Sequence, residues 1–239
     1  MRRKYSHIFF DLDNTLWDFR MNSYYALKLA YDKFSVSEQE IEFGEFFAVY
    51  TIKNKKLWEM YRQKRIVKSE LTTLRFQQTF DELELKGIDA PEMNAFYLAE
   101  MPKQKKLVDG AAALLEVLKR KGYSLYIITN GFAEVQHKKL ELTGIQNYFM
   151  KVFISENLKA PKPDPVIFNY AIKSANAKKQ ASLMVGDDFD VDVLGAINAG
   201  IDAVYFNKGQ EQIVSNPVQK NKNCYYSINQ LLQMTNILK

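Results

Sequence analysis

The stretch Ile8-Phe9-Phe10-Asp11-Leu12-Asp13-Asn14-Thr15 (IFFDLDNT, residues 8–15) runs three apolar side chains straight into two carboxylates. A short apolar run of this kind fits a strand buried on both faces of a parallel sheet. Four further runs share the form. Tyr123 to Ile128 leads into Thr129-Asn130-Gly131, and Val152-Phe153-Ile154 leads into Ser155-Glu156. Ser182 to Val185 leads into Gly186-Asp187-Asp188, and Ala203 to Phe206 leads into Asn207. Helix-prone segments alternate with these runs. Residues 110–121 stop at Gly122, residues 132–143 at Gly144, and residues around 190–199 at Gly200. Another segment opens with Asp164 as N-cap and Pro165 in the first helical position, and the last is expected to open at Ser227. This alternation predicts an α/β fold, an open, doubly wound, mainly parallel sheet. In such sheets ligands bind beyond the carboxyl ends of the strands, which is where these polar residues lie.

Residues 19–101 break the alternation. They are rich in Glu, Lys, Tyr, Phe and Leu at helical spacing, as in Tyr24, Leu27, Tyr31 and Phe34, and Gly44 and Gly87 are their only glycines. The stretch is expected to form a helical domain inserted after the first strand, with 1–18 and 102–239 as the core. Its expected role is a cap over the strand ends; a purely structural helical domain is the alternative.

The strand ends carry the chemistry. If the chain stays extended past Phe10, Asp11 and Asp13 point to the same side. Two carboxylates there repel each other, and a divalent cation would relieve the repulsion. Oxygen-only ligands favour magnesium over zinc. One carboxylate can attack phosphorus, and the other can donate a proton to a leaving oxygen. On its own, such a pair is also an ordinary strand-to-loop turn. Thr129, Asn130 and Gly131 offer a hydroxyl, an amide and unshielded N–H groups before a helix, which suits a phosphate or a simple N-cap. Lys162, in KAPKPDP at 159–165, is held by prolines where it could face a phosphate or Asp11; Lys159 is the competing lysine. In GDDFDVD at 186–192, Asp187 follows the apolar run first and is the candidate metal ligand. Asp188, Asp190 and Asp192 are less distinct, and some of them cap the helix that follows. His7 and His137 read as structural or solvent-exposed. Trp17, Phe19 and Tyr24 read first as packing residues and second as platforms for a base.

Composition limits the alternatives. The 239-residue chain has a formal charge of +5 without a Lys/Arg block interleaved with aromatics, so nucleic acid is not expected as a partner. No run reaches the length of a membrane span, and the start of the chain has too short an apolar region for a signal peptide. A single cysteine, Cys224, rules out an internal disulfide. Together these features lead us to expect a cytoplasmic protein; a monomer or homodimer is expected.

DLDNT at 11–15, TNG at 129–131, KPDP at 162–165 and GDDFDVD at 186–192 resemble the four motifs of the haloacid dehalogenase-like hydrolase superfamily, in order. The resemblance implies a Rossmann-like core with the helical cap of the type-one subclass, and first and fourth strands adjacent mid-sheet. It implies that Asp11 is the nucleophile and Asp13 the general acid/base. Thr129 and Lys162 would bind the phosphoryl group, helped by Asn130 and Gly131. Mg2+ would be held by Asp11, the backbone carbonyl of Asp13, and Asp187. Asp192 would orient Lys162 from behind, and Asp188 is a further supporting candidate. Asp13 separates phosphatases from the dehalogenases, because an alkoxide needs a proton to leave and a halide does not. IITNGF at 127–132, ISE at 154–156, MVGD at 184–187 and GAINAG at 195–200 look like the bacterial pyrimidine-nucleotide 5′-nucleotidase branch. That branch takes nucleoside monophosphates. Phosphatases of sugar phosphates or phosphoglycolate share most of the same core and are the alternative; a dehalogenase or a non-catalytic binding module fits less well.

Overall fold

The structure, a computed structural model, describes residues 4–209, 217–220 and 222–238. The chain forms two compact units, Met1–Phe19 with Lys105–Lys239, and Arg20–Gln104.

The first unit is built on a seven-stranded sheet. Its strands are β1 (His7–Phe10), β2 (Ser124–Thr129), β3 (Lys151–Ile154), β4 (Ser182–Gly186), β5 (Asp202–Phe206), β6 (Val218–Lys220) and β7 (Asn223–Ile228). Their order is β3-β2-β1-β4-β5-β7-β6. Every pair is parallel except β6 with β7. Phe10, the last residue of β1, is in register with Ile127 on one side and Val185 on the other, so β4 runs one residue and β2 two residues past the end of β1. The chain crosses in both directions from β1, and the strand order reverses there; such a switch point opens a crevice at the carboxyl ends.

Burial explains why these strands read as unbroken apolar runs. Ile8, Phe10, Leu125, Ile127, Leu183 and Val185 are at most 1% exposed on one face. On the other face Phe9, Tyr126, Ile128 and Met184 pack with Ile167, Phe168 and Ala171 of α8 (Pro165–Ser174) and Ala196 of α9 (Gly195–Asn198). Two more helices follow the sequence reading, α5 (Ala111–Arg120) and α6 (Ala133–Leu142), and a single turn, α7 (Ser155–Leu158), follows β3. Gly122 and Gly144 close them with left-handed φ of 72° and 73°. Asp164 accepts a hydrogen bond from the Val166 amide, with Pro165 in the first helical turn, so α8 starts where its cap and proline place it.

Two segments depart from expectation. The helix around 190–199 begins as a π-helical turn, Phe189–Leu194, before α9. Asp188 starts that turn by accepting from the amides of Asp190 and Val191. The helix expected to open at Ser227 does not exist there. Ser227 lies inside β7, parallel to β5, opposite Tyr205. Burial of Cys224, Ser227 and Ile228 against the sheet outweighs the helical reading. The chain becomes helical only at Leu231–Gln233 and α10 (Met234–Ile237).

The second unit is all helical: α1 (Phe19–Lys33, from Arg20 on), α2 (Phe43–Arg62), α3 (Lys68–Glu82) and α4 (Ala90–Glu100). Its core holds Leu27, Phe46, Tyr50, Leu57, Phe76, Phe80, Met93 and Tyr97, all at most 2% exposed. Arg75 is buried among them, donating to Asn94 at 3.0 and 2.5 Å and stacking 4.9 Å from the Tyr97 ring. No helix among the described residues is long and apolar enough to cross a membrane.

Candidate active site

Asp11 continues the β1 ladder by one bond, its amide donating to Val185 O at 2.8 Å. Its side chain therefore emerges at the end of the central strand, where β2 and β4 also end. Lys162, 1% exposed, donates to Asp11 Oδ1 at 2.6 Å and to Asp192 Oδ1 at 2.7 Å. Asp187 follows β4 and accepts from the Thr15 hydroxyl at 3.3 Å. Oxygens of Asp11, Asp187 and Asp192 all lie within 4.8 Å of one another.

Three carboxylates thus share one lysine. Burial raises the Asp11 carboxyl, Asp192 and Asp13 add to the rise, and Lys162 opposes it. Burial and then the charges of Asp11 and Asp192 push the Asp187 carboxyl up to about 8. Burial also raises Asp192. Burial alone would pull the Lys162 ammonium down, but Asp11 and Asp192 overrule it and hold the lysine charged. Asp192 is committed on both sides, with Oδ1 on Lys162 and Oδ2 taking the Asp188 amide at 3.2 Å. Asp187 has no ion pair among the described residues. An all-oxygen donor set with excess negative charge fits a hard divalent cation such as magnesium. Asp187 and the Asp11 oxygen that Lys162 does not engage could hold it.

Asp13 sits apart from that cluster. Residues 12–17 curl into a tight loop, with the amides of Leu16 and Trp17 donating to Leu12 O and Asn14 left-handed at φ 61°. The Asp13 carboxylate takes Lys139 Nζ on Oδ1 at 2.5 Å and Gln136 Nε2 on Oδ2 at 2.9 Å. Gln136 also donates to Thr129 Oγ1 at 2.7 Å, and the Gly131 amide donates to the same oxygen at 3.2 Å. Both acceptor sites of the Thr129 hydroxyl are thereby occupied, which leaves its proton as the group it can offer a ligand.

Asn130, expected near a phosphate, clamps the Lys162 backbone, donating to its carbonyl at 3.0 Å and accepting from its amide at 2.8 Å. This clamp joins the ends of β2 and the proline-rich segment and so places the lysine. Lys159 is exposed. Two glycines leave room rather than supply turns: a Cβ on Gly131 would lie 2.4 Å from the Gln136 amide, and one on Gly186 would lie 2.2 Å from Asp192 Oδ2. Asp188 spends its carboxylate on the π-helical turn. Glu156 Oε2 accepts the Ala133 amide at 2.9 Å and so caps α6 from outside its own segment.

The sequence reading missed Thr15, Gln136 and Lys139. The last two had a signal: with Val135 and Leu140 they form the buried face of α6, and polar residues on an apolar helix face need partners. His137, on the same helix, is exposed, and His7 lies at the amino end of β1, away from Asp11. Trp17 is fully buried, its ring centroid 4.1 Å from Lys139 Nζ, so it packs and is not open to a base.

Residues 5–200 match the profile of the haloacid dehalogenase-like hydrolases. The chain is 34% identical to the pyrimidine 5′-nucleotidase PynA of Streptococcus pneumoniae, over 85% of this chain and 84% of that protein. It is also 34% identical to the pyrimidine 5′-nucleotidase YjjG of Escherichia coli, over 85% of this chain and 87% of that one. Among solved structures, the magnesium-bound HAD-hydrolase YfnB of Bacillus subtilis superposes with a TM-score of 0.85 at 26% identity, covering 98% of this chain and 99% of its own.

Proposed function

The chain belongs to the haloacid dehalogenase-like hydrolase family and is a phosphatase; from that premise we propose that it cleaves pyrimidine nucleoside 5′-monophosphates in two steps through a phosphoryl group carried on Asp11. The observation that carries this reading is the pairing of Asp11 with Lys162 at the end of the central strand, with Asp13 held separately by its own lysine. One carboxylate is fixed beside a positive charge, and the other, two residues on in the chain, has different partners.

In the first step an Asp11 oxygen attacks phosphorus and the bond to the ester oxygen breaks. Asp13 gives its proton to the departing oxygen, which leaves as the nucleoside hydroxyl. In the second step Asp13 takes a proton from water, whose oxygen attacks phosphorus and frees Asp11 and inorganic phosphate. Lys162 and the Thr129 hydroxyl, whose oxygen already accepts from Gln136 and Gly131, donate to the phosphoryl oxygens, where charge concentrates. A magnesium ion, which Asp11, Asp187 and the Asp13 backbone carbonyl would hold, would supply positive charge to the phosphoryl group. Asp192 and Asn130 place Lys162 from behind, and Asp188 shapes the turn that presents Asp192.

The two pyrimidine 5′-nucleotidases among the relatives support the choice of substrate. We assign selection of the base and sugar to residues 20–104, inserted between the loop that carries Asp13 and strand β2; this unit would act as the cap. A screen of the purified protein across nucleotides, sugar phosphates and phosphoglycolate tests the substrate. Preference for UMP, dUMP or dTMP is expected. Equal or better turnover of sugar phosphates or phosphoglycolate would overturn the nucleotidase reading and leave the phosphatase intact.

A further inference from the structure

We propose that Lys139 and Gln136 are positioning residues that aim the Asp13 carboxyl at the leaving oxygen. Their contribution then grows with the leaving group's need for a proton. The inference rests on the reading of Asp13 as the general acid.

Asp13 needs outside restraint. It lies two residues past the Asp11 amide that makes the last ladder bond of β1, in a loop turned by the left-handed Asn14. Backbone pairing alone does not set its side chain. The restraint comes from α6, which opens just beyond Thr129-Asn130-Gly131. Gln136 and Lys139 stand three residues apart on that helix, on one face, 0% and 1% exposed. Each takes one carboxylate oxygen, Gln136 at 2.9 Å and Lys139 at 2.5 Å. Together they fix both the rotation and the tilt of the carboxyl group.

Both residues are themselves held. The Gln136 amide fills the room that Gly131 leaves by lacking a Cβ, and it bonds Thr129 and Asp13 at once. A single side chain therefore ties the phosphoryl-binding hydroxyl to the proton donor. The Lys139 ammonium lies under the Trp17 ring, which belongs to the same loop as Asp13. A buried lysine with one carboxylate partner is a poor device for stability, because an apolar residue of similar volume often serves as well or better. Its geometry at a reacting group gives it a different use.

The test is a rapid-quench, single-turnover comparison of two esters in the intact enzyme. A nucleoside 5′-monophosphate leaves as an alkoxide and needs the proton; p-nitrophenyl phosphate leaves without one. Lys139→Met should slow release of the nucleoside about 30-fold and Gln136→Leu about tenfold, within the range of general acid catalysis. Release of nitrophenolate should fall less than about threefold in both, and Lys139→Arg should recover most of the loss. Equal losses on the two esters would overturn the proposal and leave these residues as packing. Asp13→Asn is the control. If it does not discriminate between the esters, the acid assignment fails; if it does and Lys139→Met does not, only the positioning role fails. Should Lys139→Met not fold, the ratio for Gln136→Leu decides.

Discussion

Asp187 and Asp202 belong to neighbouring strands and to opposite ends of the sheet. Asp202 opens β5 at the amino end and is surrounded by donors: Tyr5 Oη at 2.8 Å, the Cys224 amide at 2.9 Å, Lys4 at 3.0 Å and Asn223 at 3.1 Å. Burial would raise its carboxyl, but these partners outweigh burial and hold it below the ordinary value. Asp187 follows β4 at the carboxyl end, accepts from Thr15 at 3.3 Å, and is pushed up to about 8 by burial and by its acidic neighbours. The same residue type on the same sheet is satisfied at one end and crowded at the other. At the amino end, polar groups serve the fold. At the carboxyl end they are assembled against their own repulsion, as a site prepared for a cation and an anionic ligand requires.

Substitutions can sharpen or break that contrast. The largest effect is expected for Asp11→Asn: turnover should drop by more than about 10⁴-fold while circular dichroism and thermal unfolding keep the signature of the folded protein. Lys162→Met comes next. It leaves Asp11 and Asp192 buried without their cation, which should destabilise the protein by about 3 kcal/mol in urea unfolding as well as silence it.

The direct comparison is Asp187→Asn against Asp202→Asn. Asp187→Asn should cut activity at least about 100-fold, yet raise the stability of metal-free protein by about 1 kcal/mol, because a crowded charge is removed. Magnesium should raise the unfolding temperature of the native protein by mass action and that of this variant much less. Asp202→Asn should lose about 2 kcal/mol of stability and stay within about twofold of native activity. If the two variants change stability in the same direction, the contrast between the sheet ends is wrong.

The smallest effect concerns pH. A carboxyl held below its unfolded value adds stability that is complete above about pH 4 and is lost as pH falls through the folded value. Native protein should therefore lose stability below about pH 4, and Asp202→Asn should lose less of it over that interval, as read by urea midpoints.

Much of the carboxyl end was legible in the sequence because buried parallel strands are apolar on both faces. Their runs end abruptly at Asp11, Thr129 and Asp187, and no other pattern explains those breaks. Other features depended on tertiary contacts. Asp188, Asp190 and Asp192 look alike in GDDFDVD, and only the π-helical turn buries Asp192 and leaves Asp190 at the surface. The clamp of Asn130 on a backbone 32 residues away has no sequence signal. Gln136 and Lys139 share the buried face of α6 with Val135 and Leu140, but their partner, Asp13, lies more than 120 residues away in sequence. Residues 223–228 carry mixed polarity, so β7 became visible only once β5 lay beside it.

The central claim is that Asp11 carries the phosphoryl group. Enzyme with Asp13→Asn, mixed with p-nitrophenyl phosphate and magnesium and quenched in acid, should show one phosphoryl group on the peptide containing Asp11 by mass spectrometry. The same peptide from Asp11→Asn should show none. Substrate consumed by native enzyme with no phosphoryl group ever trapped on Asp11, or one trapped on a different residue, would contradict the account.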